Sequence, residues 1–203
     1  MCNLYEVGPA PERTLDWELP FLGALTGLPY VAPGGTGVVG RLDRGGRGEL
    51  EAVRMRWGFR RSWNPAINNT RDDKLSGPMW REAWHHRRCL IPMRRFFEWS
   101  GPLGRKTKHA VRPDEADGGW FWVGGVWEVD PGLPEGASYS LITTAASPLM
   151  RPLHDRMPLL LCLDQVEDFL KAEDPPLELV LPFPGELWIE PPPGAAQEPD
   201  LWF

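Results

Sequence analysis

The chain has 203 residues, 42% apolar and 25% charged, with a net charge of −6. These are the values of one ordinary globular domain, so disorder of the whole chain is excluded, and no run approaches the roughly 18 apolar residues of a membrane helix. The start, MCNLYEVGPAPER, has neither the basic stretch nor the apolar core of a signal peptide, which gives the expectation of a cytoplasmic protein with no membrane partner.

In chain order, residues 11–25 suit a short helix limited by Pro20. Residues 32–48 carry seven glycines among arginines and read as a loop. Residues 49–59 alternate in part and predict a strand. Residues 60–77 hold Asn64-Pro65, paired Asn and Asp, and Gly77, the chemistry of turns. Pro78 opens a short helix over 78–86. Strands are predicted at 88–92, 95–100, 107–112, 119–128 and 138–145, with Gly124-Gly125 as a bulge. A short apolar run follows at 157–163, then a helix at 164–171 with Asp164 at its N-cap. The Pro/Gly-rich acidic stretch 191–203 is expected to be a tail on a domain formed by 1–190. The 22 Gly and 23 Pro favour short strands and many turns over long helices. The fold class expected is α+β: a single domain with a distorted, mostly antiparallel, barrel-like sheet and a few short helices.

Charge is unevenly spread. Residues 54–112 hold 15 Lys/Arg against 4 Asp/Glu, a balance of +11, while the remainder holds 7 against 24. A polyanion responds to a local patch rather than to the net charge. The same segment carries Trp57, Trp63, Trp80, Trp84 and Trp99, and basic residues interleaved with aromatics suit a single nucleic-acid strand. Trp57 and Trp99 are expected in the core. Cys2, Cys89 and Cys162 are too few and too scattered for a disulfide framework, and no CxxC pair or ligand spacing suggests a metal or cofactor.

Removal of Met1 would leave Cys2 at the N-terminus, with a thiol and an α-amine on adjacent carbons. The α-amine is far less basic than a lysine, so it is a nucleophile near neutral pH. Such a pair condenses with an aldehyde, the amine forming a Schiff base and the thiol closing a thiazolidine. His154, in LHDRMP, is of a type that transfers protons near pH 7. Glu98, in RRFFEWS, shares a strand face with Phe96, opposite Phe97 and Trp99. Asn69 and Arg71 lie in the polar stretch INNTRDD, where Asn can orient a sugar oxygen and Arg can bind phosphate bidentately. Each of these residues, alone, is as consistent with an ordinary structural role.

Their order is more specific. Met-Cys at the start, Asn-x-Arg, RRCLIPMRRFFEW, a TTAA stretch and H-D-R-M-P together resemble the SOS-response-associated peptidase family, from Cys2 to about Trp188. The resemblance implies a sensor of abasic sites in single-stranded DNA. In it, Cys2 is the crosslinking nucleophile and Asn69 orients it or the deoxyribose. Glu98 and His154 move protons. Arg71 is the phosphate contact of the motif; Arg60, Arg61, Arg156 and Trp63 are further DNA-contact candidates from their charge and aromatic character. The resemblance further implies release of the chain's own Met1; the same Schiff base would permit weak lyase chemistry, and nothing in the sequence points beyond a monomer. Two departures stand out: the start reads Met-Cys-Asn-Leu-Tyr where Met-Cys-Gly-Arg-Phe is commonest, and Asp73 occupies a Glu position. The competing readings are a thiol peptidase acting in trans and a non-covalent single-stranded DNA-binding module.

Overall fold

The computed structural model describes residues 2–9, 11, 15–25, 29–43, 48–102, 104–114 and 119–190. The expected tail, 191–203, lies outside these residues. The fold is α+β and mostly strand, as expected from the sequence.

One sheet of five short strands runs in the order β15 (Leu187–Glu190), β10 (Thr107–Pro113), β9 (Arg95–Ser100), β1 (Tyr5–Glu6), β2 (Tyr30–Val31), all antiparallel. The larger sheet runs β13 (Arg156–Pro158), β12 (Ala137–Ala145), β4 (Leu50–Trp57), β3 (Thr36–Leu42), β8 (Arg88–Met93), β11 (Phe121–Val129), β14 (Leu160–Leu161). Because β11 also pairs β12, the strands wrap back on themselves. The barrel is distorted and not strictly closed: β3 meets β8 at the pair Gly40↔Leu90. β5 (Phe59–Arg61) and β6 (Asn64–Ile67) form a hairpin, and β7 (Asn69–Arg71) leaves it to run parallel to β12 with Asn69 beside Leu141 and Arg71 beside Thr143. The 60–77 stretch therefore holds short strands and a 3-10 turn at Asp72–Lys74, where turn chemistry alone was expected.

The expected loop at 32–48 is instead the strand β3 over Thr36–Leu42. Its glycines are there because aromatic groups press on them. A Cβ on Gly37 would lie 2.1 Å from the Tyr139 hydroxyl and 2.4 Å from that of Tyr5, and one on Gly40 would lie 2.4 Å from Phe21 Cζ. Glycine in a strand often marks such a close approach. The Gly124-Gly125 pair is likewise no bulge: β11 stays in register with β8 through both residues. A Cβ there would meet Leu159 and Phe169, or Ile91, at 2.6–2.9 Å.

The barrel interior is aromatic. Trp57 is fully buried, edge-on to Tyr5 at 5.1 Å and stacked on Tyr139 at 6.4 Å. A fully buried side chain of this size is worth about 3–5 kcal/mol against alanine. Trp80 and Trp84 are also buried, whereas Trp99, expected in the core, is half-buried at the surface of the small sheet.

Helices cover the ends. α1 (Leu19–Ala24) carries Pro20 in its first turn, where no N–H is needed. α2 (Arg81–His86) and α3 (Val166–Lys171) meet over Arg88. Asp164 does not cap α3 as expected: it lies inside a 3-10 turn at Leu163–Gln165, before which Cys162 N–H is held by Gln165 Oε1 at 3.0 Å. The buried Arg88 guanidinium donates to carbonyls of Trp84 and His85 at the end of α2, and of Phe169, Leu170 and Ala172 at the end of α3. Burial lowers its basicity, but cations suit helix C-termini, whose last carbonyls lack helical partners. Among the described residues no helix is long and apolar enough to cross a membrane.

Candidate functional site

Cys2 is buried, just ahead of β1. Main-chain termini fray unless tied down, and here the tie falls on the Cys2 carbonyl. It accepts Asn69 Nδ2 at 3.0 Å and Asn68 Nδ2 at 3.2 Å. Both asparagines sit where the chain passes from β6 to β7, which the β7–β12 ladder fixes. The Cys2 thiol donates to the Leu4 carbonyl at 3.4 Å. Burial, reinforced by the Glu98 carboxylate, pushes the thiol up to about 12, so it is protonated near neutral pH. Asn69 Oδ1 is buried and, among the described residues, has no hydrogen-bond partner.

Glu98 is buried in β9, on the same face as Phe96, as strand alternation predicts. Directly across the ladder from it, on β10, is His109. The His109 Nε2 is 2.7 Å from Ser100 Oγ. Opposite residues in such a pair have Cβ atoms about 5 Å apart, so His109 and Glu98 start from neighbouring positions on one face of the small sheet.

His154 is held differently. Its Nδ1 accepts the Arg156 N–H at 2.9 Å and lies 2.8 Å from Asp155 Oδ1, so both partners belong to its own loop. Among the described residues its ring makes no hydrogen bond to Cys2, Asn69 or Glu98. Asn69 is bonded to Cys2 and Glu98 acts on its thiol through its charge, while His154, just before β13, is bonded within its own segment.

The arginines expected to meet DNA are all engaged by carboxylates. Arg60 is bidentate to Asp130 and Arg61 bidentate to Glu128, tying the β5–β6 hairpin to the end of β11 around a groove of about 570 Å³. Arg71 is bidentate to Asp73 at 2.8 and 3.1 Å, and Arg156 reaches Asp72 at 2.6 Å and the Thr143 carbonyl. These pairs hold the Asp73 and Asp130 carboxyls below their usual range through hydrogen bonds from Arg71 and Arg60. Trp63, at the hairpin tip, is 70% exposed. Among the described residues no cluster of His, Cys, Asp and Glu could hold a metal ion.

The family model described as SOS response associated peptidase (SRAP) matches residues 29–190 of the chain. The chain belongs to the SRAP family. Among curated SRAP relatives, the Bacillus subtilis abasic site processing protein YoqW is 32% identical over 131 residues, covering 60% of this chain and 58% of that protein. The abasic site processing protein YoaM of the same organism is 28% identical over 131 residues, covering 60% and 57%. The aligned part therefore spans just over half the length of these relatives. A phage-related protein of Bordetella bronchiseptica superposes with a TM-score of 0.69 at 20% identity, covering 93% of this chain and 94% of that one. A Bacteroides thetaiotaomicron protein gives 0.67 at 20% identity, over 93% and 91%. These structures establish the shared SRAP fold.

Two site neighbours, Asn68 and His109, were not singled out from the sequence. Asn68 stands beside the Asn69-Thr70-Arg71 motif but lies 66 residues from Cys2 in the chain, and only the β7–β12 pairing brings it there. His109 has no local motif, and its place depends on the β9–β10 register.

Proposed function

We propose that this SRAP chain processes abasic sites in single-stranded DNA by forming a covalent crosslink through Cys2 once Met1 has been released. The observation that carries the reading is the tie on Cys2. The residue is held by its carbonyl, by Asn69 and Asn68, and its thiol feels the Glu98 carboxylate, so release of Met1 would free an α-amine on a residue that is already anchored. The relatives named abasic site processing proteins point to the same substrate.

Once Met1 has left, the freed α-amine adds to the C1′ aldehyde of the ring-opened sugar; loss of one water gives the imine. The thiol then adds to the imine carbon. Its proton passes to the Glu98 carboxylate and returns to the imine nitrogen, closing a five-membered thiazolidine. The balance is one thiol, one amine and one aldehyde to one thiazolidine and one water. Asn69 Oδ1, buried beside the Cys2 main chain and unpartnered among the described residues, is an acceptor for the freed amine. His154 would assist sugar-ring opening after a rearrangement of its loop. The imine also permits β-elimination, hence a weak lyase side reaction. Trp63 stacks on a base, and Arg71, Arg156, Arg60 and Arg61 exchange carboxylates for phosphates.

A thiol peptidase acting in trans needs a thiolate generated by a neighbouring imidazole. No imidazole is hydrogen-bonded to the Cys2 thiol among the described residues, and His154 Nδ1 is already bonded to Arg156 N–H, so the crosslinking reading is favoured. The test is a denaturing gel of mature protein with single-stranded DNA carrying one abasic site. A heat-stable shifted band is expected, absent with undamaged DNA and absent for Cys2→Ala. A band that survives Cys2→Ala overturns the reading, as does no band from protein whose N-terminal Cys is confirmed by mass.

A further inference from the structure

We propose that Asn68 is a second positioning residue for the Cys2 nucleophile, acting with Asn3 as an amide clasp on the first residues of the mature chain. The inference rests on the reading of Cys2 as the reacting residue. One NH2 group has two hydrogens, and both of Asn68's are used: Nδ2 is 3.2 Å from the Cys2 carbonyl and 3.1 Å from Asn3 Oδ1. With Asn69 Nδ2 at 3.0 Å, the Cys2 carbonyl accepts two amide donors, one for each lone pair. Asn68 grips two successive residues, one by main chain and one by side chain, so it restrains rotation about the Cys2–Asn3 link as well as position.

Asn68 is itself built in. Its carbonyl accepts the Trp57 indole N–H at 2.9 Å and the Leu141 main-chain N–H at 3.0 Å. Trp57 is fully buried between Tyr5 and Tyr139. A rigid chain of contacts therefore runs from the barrel core through Asn68 to the nucleophile. The clasp also accounts for the unusual start. A Cys-Gly start offers no side chain at position 3, whereas Asn3 supplies the acceptor that Asn68 meets. A restrained nucleophile loses less freedom on reaching the aldehyde, which raises rate without adding a contact to DNA.

The variants are Asn68→Leu, of equal size but without donors, Asn68→Gln, which keeps the amide, and the exposed Asn3→Ala. Two readouts apply to mature protein: crosslinking of abasic single-stranded DNA across DNA concentration, and thiazolidine formation with glyoxylate in the absence of DNA. Asn68→Leu is expected to slow both reactions about tenfold, the loss of one to two hydrogen bonds, with the half-saturating DNA concentration unchanged and part of the rate restored in Asn68→Gln. Asn3→Ala is expected to slow the reaction in the native background and to have no further effect in Asn68→Leu. Native rates in Asn68→Leu, a loss confined to the half-saturating concentration, or additive effects of the two substitutions overturn the clasp. If the native protein reacts with glyoxylate but not with abasic DNA, the DNA reading fails, and the dependence of the glyoxylate reaction on Asn68 still decides the inference.

Discussion

The two regions that would meet an abasic strand are built on opposite principles. Around Cys2 the contacts are short, partly buried and made by neutral amides: Asn68 and Asn69 on a carbonyl, a thiol on the Leu4 carbonyl. Around the rim, Arg60, Arg61 and Arg71 are held by carboxylates in exposed or half-exposed ion pairs. Neutral hydrogen bonds in a sheltered site resist salt and fix geometry. Exposed ion pairs contribute little to stability and are screened, so they rearrange readily. The difference teaches that one region is made to stay as it is and the other to trade partners.

The sharpest test is of the sheltered region. Glu98→Gln keeps the size of the side chain and removes its proton-accepting carboxylate. We expect crosslinking to slow by about 100-fold, with binding to DNA carrying a non-aldehyde abasic analogue unchanged. A larger loss from His109→Gln would move the proton acceptor across the β9–β10 ladder.

The next test is global. Burial raises the Cys2 and Cys89 thiols and the Tyr5 and Tyr139 hydroxyls above their ordinary values. For groups raised in the folded state, the stabilisation is complete below the unfolded values. It is lost as pH climbs through the gap, on the order of 1 kcal/mol per pH unit for each group. Denaturant midpoints should hold steady to about pH 8 and fall steeply from about pH 9 for the thiols and pH 10 for the tyrosines. A flat midpoint to pH 11 would contradict the sealed interior.

The smallest effect belongs to the rim. Asp73→Asn removes the bidentate partner of Arg71. It should tighten binding to undamaged single-stranded DNA by a few-fold at low salt and steepen the salt dependence by about one phosphate's worth of slope. An unchanged slope would place Arg71 off the DNA path.

Much of this was legible in the sequence where the signal is local. The strands from Arg88 to Ala145 declare themselves by β-branched and aromatic runs between turns, and Pro78 marks the approach to α2. Cys2, Asn69 and Glu98 stand out by residue type and motif, and the fold bonds Asn69 to Cys2 and sets the Glu98 charge on its thiol. What was hidden depends on distant partners. β3 reads as a loop because Gly37 and Gly40 carry no strand signal; their reason is the rings of Tyr5, Tyr139 and Phe21. Trp99 looked like core because aromatic strands usually have a covered face, but this residue shares the open side of the small sheet. The carboxylates that hold Arg60, Arg61 and Arg156 lie 67–84 residues away in the chain, beyond any pattern that spacing reveals.

Arg88 has one more consequence. Among the described residues its guanidinium is clasped by five carbonyls and pairs with no acid. Carbonyls do not titrate, so acid has nothing there to neutralise, whereas each rim pair loses its grip once its carboxyl is protonated. As pH falls, the molecule should therefore come undone in a set sequence. The arginine rim lets go first, while the joint between α2 and α3 stays latched, a built-in order of disassembly with the barrel's helical cover among the last parts to open.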